Sequence, residues 1–186
     1  MDVLIIGNGG ISKGFQEVFE AQGQSFDLYH RTIGDLYEIP EKIKKRYDLL
    51  IYAVGDIVWK RVKDITLEDI EKVFKPNAFG FFILAKTLPQ IMNEKGKVIV
   101  IGAELDRITF PFLSLYASSK AALRTFIDVC RKEIRTVSFY LIEPNEVDTP
   151  LWKKVPIKPA NPKNPKDFAQ NVLVLVKLPK SDGSAQ

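Results

Sequence analysis

The chain has 186 residues, 46% of them hydrophobic, and its 27 basic and 23 acidic side chains leave a formal net charge of +4. Such a composition supplies one sizeable core, and the length argues against two independent domains. The basic excess is dispersed except near the C-terminus, which speaks for a solvated surface and against a nucleic-acid partner, and no apolar run reaches the ~18 residues of a membrane span.

Met1 leads directly into a strand pattern without a signal-peptide charge arrangement, so a cytoplasmic protein with no membrane partner is expected. Apolar bursts of strand length recur at residues 3–6, 26–29, 49–54, 98–101 and 137–142. They lack polar alternation, and stretches of helical period lie between most of them, which predicts parallel strands buried on both faces. The expected fold class is α/β, a doubly wound parallel sheet in a single domain over residues 1–180, with a disordered tail at 181–186.

The first strand runs into Gly7-Asn8-Gly9-Gly10-Ile11-Ser12-Lys13-Gly14, and Phe15, Val18 and Phe19 then begin a helical pattern. Glycines at such a junction let the backbone turn sharply and approach a pyrophosphate, whose charge meets amide N–H groups and the helix N-terminus. The match to the pattern G-x-G-x-x-G is Gly7, Gly9 and Ser12, with serine in the last place. Gly10 and Ile11 belong to the same candidate cofactor turn. The second strand ends at Tyr29, followed by His30, Arg31 and Thr32. An acid there would take the ribose hydroxyls of NAD(H), whereas an arginine pairs with a 2′-phosphate, so NADP(H) is preferred over NAD(H). A solvated loop arginine is the plainer alternative.

Farther along, Thr66-Leu67-Glu68-Asp69 places a capping hydroxyl before two acids and predicts a helix start. Pro76 divides the segment 66–92 into two helical pieces, with Asn77 just past the break, and Gly96 breaks the chain before the fourth strand. A helix is expected over 116–134, where Ala121, Leu123, Phe126, Ile127, Cys130 and Ile134 supply apolar surface. Residues 153–166 hold four prolines and five lysines and read as an extended, mobile connection. A last helix is expected over 165–177, with Phe168, Val172, Leu175 and Val176 on one face, although 172–176 also suits a strand by propensity. Cys130 reads as a buried structural thiol. With His30 as the single histidine, a His/Cys zinc site has too few ligands and no metal is expected.

Tyr116-Ala117-Ser118-Ser119-Lys120 sets a tyrosine and a lysine four apart on one helix face, where an ammonium near a phenol favours its ionised form and suits proton transfer. The pair belongs to an ordered series: the Gly7 loop, Tyr52-Ala53-Val54-Gly55, Asn77, the strand at Val98, the Tyr116 motif, and Pro144-Asn145-Glu146-Val147-Asp148-Thr149-Pro150. In that order the chain resembles the short-chain dehydrogenase/reductase family over residues 2–152. The resemblance implies a Rossmann-type fold lacking the family's last strand. It also implies hydride transfer between NADP(H) and a small carbonyl or alcohol substrate. Tyr116 is then the proton donor to the carbonyl oxygen, Lys120 lowers its pKa and binds the nicotinamide ribose, and Asn77 holds a relay water. Ala53, Val54 and Gly55, together with Pro144, Val147 and Thr149 at the nicotinamide end, are implied cofactor contacts, and Asp35 replaces the acid that binds adenine. Leu151, Trp152 and Trp59 are expected as apolar pocket walls. A homodimer or higher homo-oligomer is implied through the segments 77–92 and 116–134.

The register of the family's catalytic serine falls on Ala103, which has no hydroxyl. Ser114 and Thr109 are the candidate replacements. A missing donor of this kind costs about 10²-fold or more in rate, and it supports a second reading, a non-catalytic NADP(H)-binding sensor or regulatory protein.

Overall fold

A computed structural model of the chain describes residues 1–32 and 34–177. The tail expected at 181–186, and the expectation that no strand follows Lys177, lie outside the described residues. Among the described residues five strands, Val3–Ile6 (β1), Asp27–Tyr29 (β2), Tyr47–Tyr52 (β3), Met92–Ile101 (β4) and Ser138–Ile142 (β5), form one parallel sheet in the order β2-β1-β3-β4-β5. The strand order reverses between β1 and β3, so a crevice opens at their C-terminal ends, the place where doubly wound sheets bind ligands. Among the described residues between β2 and β3 the chain makes a 3₁₀ turn at Leu36–Glu38 and the short helix Ile39–Lys42 (α2), with no intervening strand.

The remaining helices are Gly10–Ala21 (α1), Leu67–Phe74 (α3), Gly80–Ala85 (α4), Leu88–Ile91 (α5), Leu105–Ile108 (α6), Ser114–Glu133 (α7) and Pro165–Leu175 (α8). Alternate strand residues divide between two cores, which is what a sheet covered on both faces requires. Leu4, Ile6, Leu50, Tyr52, Val98 and Val100 pack with Phe81 of α4 and Leu123, Ile127 and Cys130 of α7. Val3, Ile5, Leu49, Ile51 and Ile99 pack with Phe15 and Phe19 of α1 and Phe168, Ala169 and Val172 of α8.

Three expectations need correction. Pro76 does not break the helix: α3 passes through a π-helical turn at Lys75–Phe79 straight into α4. The wider turn absorbs the proline's missing N–H, and the Tyr52 hydroxyl donates to the Pro76 carbonyl at 2.8 Å. Gly96 does not precede the fourth strand but lies within it. Tyr47 pairs with Met92 and Leu49 already with Lys97, so residues 93–96 bulge out of the ladder, with Lys95 at φ 63°. The third concerns the apolar face of α8, which forms as the expected last helix, with Asn164 capping it by accepting from Lys166 N at 2.8 Å and Pro165 opening it. Its buried stripe is Phe168, Ala169, Val172, Leu173 and Val176, while Leu175 is 66% exposed. That stripe is centred near Ala169 and Val176, which puts Leu175 roughly a quarter turn off it.

Candidate active site

The glycine turn sits at the mouth of the crevice. Gly7 has φ 124°, and a Cβ there would stand 2.5 Å from the Ala53 carbonyl oxygen, so only glycine lets β1 leave the sheet so close to Ala53 and Val54. Gly9 is exposed, and nothing lies within 4 Å of where its Cβ would be. Helix α1 starts directly after it with no side-chain cap, which leaves first-turn amide N–H groups free for an anion. A Cβ on Gly10 would stand 2.8 Å from Thr149 Cγ2, so the turn and the segment after β5 meet here. Ser12 is buried; its hydroxyl donates to the Gly7 carbonyl at 2.6 Å and accepts from Gln16 Nε2 at 3.1 Å. The serine in the third glycine position therefore locks the turn from behind. Ile11 is half-buried beside it.

At the end of β2, His30 Nδ1 lies 2.8 Å from Thr32 Oγ1, and Arg31 is exposed with no ion pair among the described residues. Asp35 acts locally, since its carboxylate pairs with Lys75 and accepts from Tyr37 N at 2.8 Å. The Lys75 hydrogen bond, then that of Tyr37, holds its pKa below the usual carboxylate value.

Deeper in the crevice a chain of hydrogen bonds crosses three segments. Asn77, fully buried in the π turn, accepts at Oδ1 from Asp56 N (2.7 Å) and donates from Nδ2 to Asp56 O (2.9 Å) and Ser119 Oγ (2.9 Å). Ser119 Oγ in turn donates to the Tyr116 carbonyl at 2.8 Å. Lys120 is 4% exposed, donates from Nζ to Ile101 O at 2.9 Å, and stands 5.8 Å from the centre of the Tyr116 ring. A Cβ on Gly55 would meet Asn77 Oδ1 at 3.2 Å and Lys120 Nζ at 3.9 Å. The fold thus brings Gly55, Asn77, Tyr116 and Lys120 together. Ser119 is the functional position that sequence reasoning missed; its one signal was a place within the Tyr116 motif, three residues from the tyrosine on the same helix face.

The expected depression of the tyrosine pKa is not what this geometry produces. Burial pushes the Tyr116 phenol up to about 12 and the Lys120 ammonium down to about 8. With the amine on Ile101 O, desolvation outweighs any attraction between the two groups. Ala103 is buried just past β4. Of its two candidate substitutes, Thr109 spends its hydroxyl on Leu105 O at 2.8 Å, whereas Ser114 Oγ is buried without a hydrogen-bond partner among the described residues.

A strap closes the other side. Val147 pairs with Lys163, and Glu146 Oε2 accepts from Ala160 N (3.1 Å) and Asn161 N (3.3 Å), which ties both ends of the segment together. Between them the 3₁₀ turn Pro150–Lys154 is held by Trp152 Nε1 donating to Val147 O (2.8 Å) and by Lys154 Nζ on Asp56 Oδ1 (2.5 Å). Leu151 and Trp152 are half-buried on that turn. A cavity of about 200 Å³ lies at the strap's base, lined by Glu143, Pro144, Asn145, Glu146, Lys163 and Phe168. Among the described residues no group of three or more His, Cys, Asp or Glu side chains is placed to hold a metal ion.

A family model described as short chain dehydrogenase matches residues 11–160. The chain belongs to this family. Its relatives include the uncharacterized oxidoreductase YusZ of Bacillus subtilis strain 168, 34% identical over 109 residues, which are 56% of this chain and 39% of that protein. Another is the NADPH-dependent 3-dehydrocapnine reductase of Ornithobacterium rhinotracheale, 25% identical over 73% of this chain and 48% of that one. The chain thus spans about half or less of the length of these curated relatives. Among solved structures, a short-chain oxidoreductase of Thermus thermophilus superposes with a TM-score of 0.86 at 22% identity, with all of both chains covered. An alcohol dehydrogenase of Thermococcus sibiricus complexed with 5-hydroxy-NADP gives 0.78 at 20% identity over 97% of this chain and 92% of that one. At these identities the structural matches establish the short-chain dehydrogenase fold.

Proposed function

We propose that this short-chain dehydrogenase is an NADP(H)-dependent oxidoreductase acting on a small carbonyl compound or the matching alcohol. The observation that carries the reading is the hydrogen-bonded chain Asp56–Asn77–Ser119–Tyr116, buried at Asn77 and Ser119, with Lys120 beside it, at the end of a crevice whose mouth is an uncapped helix N-terminus. The open space at Gly9, the free first-turn amides of α1 and the Gly10–Thr149 contact fit a dinucleotide pyrophosphate. Ala53, Val54, Gly55, Pro144, Val147 and Thr149 flank its path toward the nicotinamide end. Arg31, with His30, faces the 2′-phosphate, a choice supported by the NADPH dependence of the Ornithobacterium reductase and the NADP analogue in the Thermococcus complex. When bound, NADP(H) supplies the hydride.

The residues of this chain handle the proton. Tyr116 donates from its hydroxyl to the carbonyl oxygen, and its high pKa keeps that proton in place at neutral pH. Lys120, drawn off Ile101 O, is placed to bind ribose hydroxyls. Asn77 acts as a positioning residue: both amide hydrogens are spent on Asp56 and Ser119, so it fixes the Gly55 turn and the phase of α7. Ser114 Oγ is the hydroxyl left to take the place of the donor missing at Ala103.

Titration with NADPH and NADH, followed by a panel of carbonyl substrates, tests this. NADPH binds more tightly, and Arg31→Asp reverses or abolishes the preference. Tyr116→Phe lowers turnover by about 10²-fold or more while cofactor affinity stays nearly unchanged, and Lys120→Ala damages both. Equal affinities for the two cofactors, or full turnover in Tyr116→Phe, sinks the assignment. The absent hydroxyl at Ala103 favours one other reading, a cofactor-binding sensor, which prevails if NADPH binds tightly and no carbonyl is reduced. Self-association is part of the proposal: Phe79 (39%), Ile83 and Val129 are exposed beside the stacked Phe82 and Phe126 rings on α4 and α7. Light scattering showing a monomer at micromolar concentration counts against a dimer.

A further inference from the structure

Beyond the reacting groups stands an aromatic wall. Trp59 stacks on Phe112 at 5.0 Å with ring planes 14° apart, and Phe110 leans on Trp59 at 6.3 Å with its own surface 53% exposed. The two loops that carry these rings adjoin the candidate catalytic groups along the chain. Trp59 follows Gly55, which touches Asn77 and lies near Lys120, and Phe112 precedes Tyr116 by four residues at the start of α7. Lys60 N donates to Phe112 O at 3.1 Å, which ties the loops to each other. Phe112 has φ 71°, a left-handed conformation that bulky residues rarely adopt, and the Trp59 stack and that hydrogen bond hold it there. Strain of this kind persists where surrounding contacts over-determine it, and it clusters at functional sites.

Charge accompanies the rings. The guanidinium of Arg61 lies 5.8 Å from the Phe112 ring centre, and the side chain is exposed. Lys60 is consumed by Asp69 at 2.6 Å and Lys154 by Asp56, but Arg61 makes no ion pair among the described residues. A planar guanidinium beside aromatic faces is suited to a carboxylate carried on a ring, because the fork binds the anion while the rings cover the π surface.

We propose that the wall of Trp59, Phe110 and Arg61 selects the substrate, an aromatic aldehyde or ketone bearing an anionic group on its ring. The proposal rests on the carbonyl-reductase reading above. In the reaction the carbonyl carbon gains hydride from NADPH, its oxygen gains the Tyr116 proton, and the products are the ring-bearing alcohol and NADP⁺, with solvent restoring the proton.

The test compares 4-carboxybenzaldehyde, benzaldehyde and propanal as substrates. The charged aldehyde has the highest kcat/KM. Arg61→Ala raises its KM about tenfold, as for loss of one charge-assisted contact, and leaves the KM of benzaldehyde unchanged. Phe110→Ala lowers kcat/KM for both aromatic aldehydes and not for propanal. Similar kcat/KM for all three aldehydes, or an Arg61→Ala protein indifferent to the carboxylate, overturns the proposal and leaves the reductase reading standing. A second readout needs no turnover: in Trp152→Phe protein, Trp59 fluorescence is titrated with 4-(hydroxymethyl)benzoate. Saturable quenching lost in Arg61→Ala supports an aromatic-anion site at the wall even if no aldehyde is reduced, in which case the reductase reading fails and the substrate role with it. No quenching and no turnover overturn both.

Discussion

The two sides of the crevice are held by different kinds of contact. On the α7 side, Asn77, Ser119 and Lys120 are buried, and their side-chain bonds run to neighbouring segments of the frame except that of Ser119 to Tyr116 O within α7. On the strap side, the Pro150–Lys154 turn is held by one indole hydrogen bond and one partly exposed ion pair, Lys154–Asp56. Buried, mutually satisfied polar groups are costly to disturb, whereas an exposed pair contributes little and is screened by salt. On the oxidoreductase reading proposed above, the difference divides labour: proton chemistry needs geometry fixed within a fraction of an ångström, and ligand entry needs a segment that opens at small cost. Asp56 belongs to both sides, since its backbone is clamped by Asn77 while its carboxylate receives Lys154.

The sharpest way to break this contrast is on the rigid side. Asn77→Ala leaves Asp56 N and Asp56 O without these partners inside the protein and takes the amide donor away from Ser119 Oγ, which keeps its bond to Tyr116 O. The expected result is a loss of about 3 kcal/mol in urea unfolding, together with loss of turnover. A variant as stable as the parent would show that the hydrogen-bond chain is incidental.

Lys120 gives an effect of up to similar size with a defined pH signature. Its folded pKa is depressed to about 8, so between pH 8 and its ordinary value of 10.5 the unfolded chain binds more protons and stability rises with pH. The contribution is up to about 3 kcal/mol over the whole window. Above pH 10 the sign reverses, because the buried Tyr116 phenol, pushed up to about 12, keeps a proton that the unfolded chain releases. Unfolding free energies of the cofactor-free protein at pH 7.5 and 9.5 should therefore increase in the parent and stay flatter in Lys120→Met. Equal slopes in the two proteins would falsify the buried-amine account.

The smallest effect belongs to the strap. Lys154→Ala is expected to leave stability within ~0.5 kcal/mol and to speed NADPH release by roughly threefold, in line with one partly exposed pair. Stopped-flow fluorescence measures the release, with Trp152 reporting on the turn itself. Raised salt should accelerate release in the parent and change little in the variant; a salt response of equal size in both would remove the latch from the account.

Much of the frame was legible because it follows from local pattern. Uninterrupted apolar runs between helical stretches suit strands buried on both faces, and each of the five contains a strand, β4 starting six residues early because of its bulge, while the equally apolar run 172–175 is helical. The Gly7 turn, the Thr66 cap and the Tyr116–Lys120 spacing are likewise set by backbone freedom and helix periodicity. The α7 helix begins at Ser114 rather than 116, and Cys130 is buried on it as its apolar neighbours demand. Misreadings arose where a local rule met a tertiary contact: Pro76 is accommodated by a π turn whose carbonyl Tyr52 satisfies, and Gly96 serves a bulge rather than a break.

Sequence by itself therefore determined the doubly wound sheet, the position of the glycine turn and the spacing of Tyr116 and Lys120 on one helix, because each depends on residues near one another in the chain. Only the tertiary structure decided that Asn77 spans to Ser119 across 42 residues and that Lys154 reaches Asp56 across 98. It also decided that Tyr116 and Lys120 titrate away from their ordinary values in the direction opposite to mutual attraction. Such partnerships and desolvation depend on which side chains the packed sheet and helices bring together, and no periodicity or motif along the chain encodes that distance.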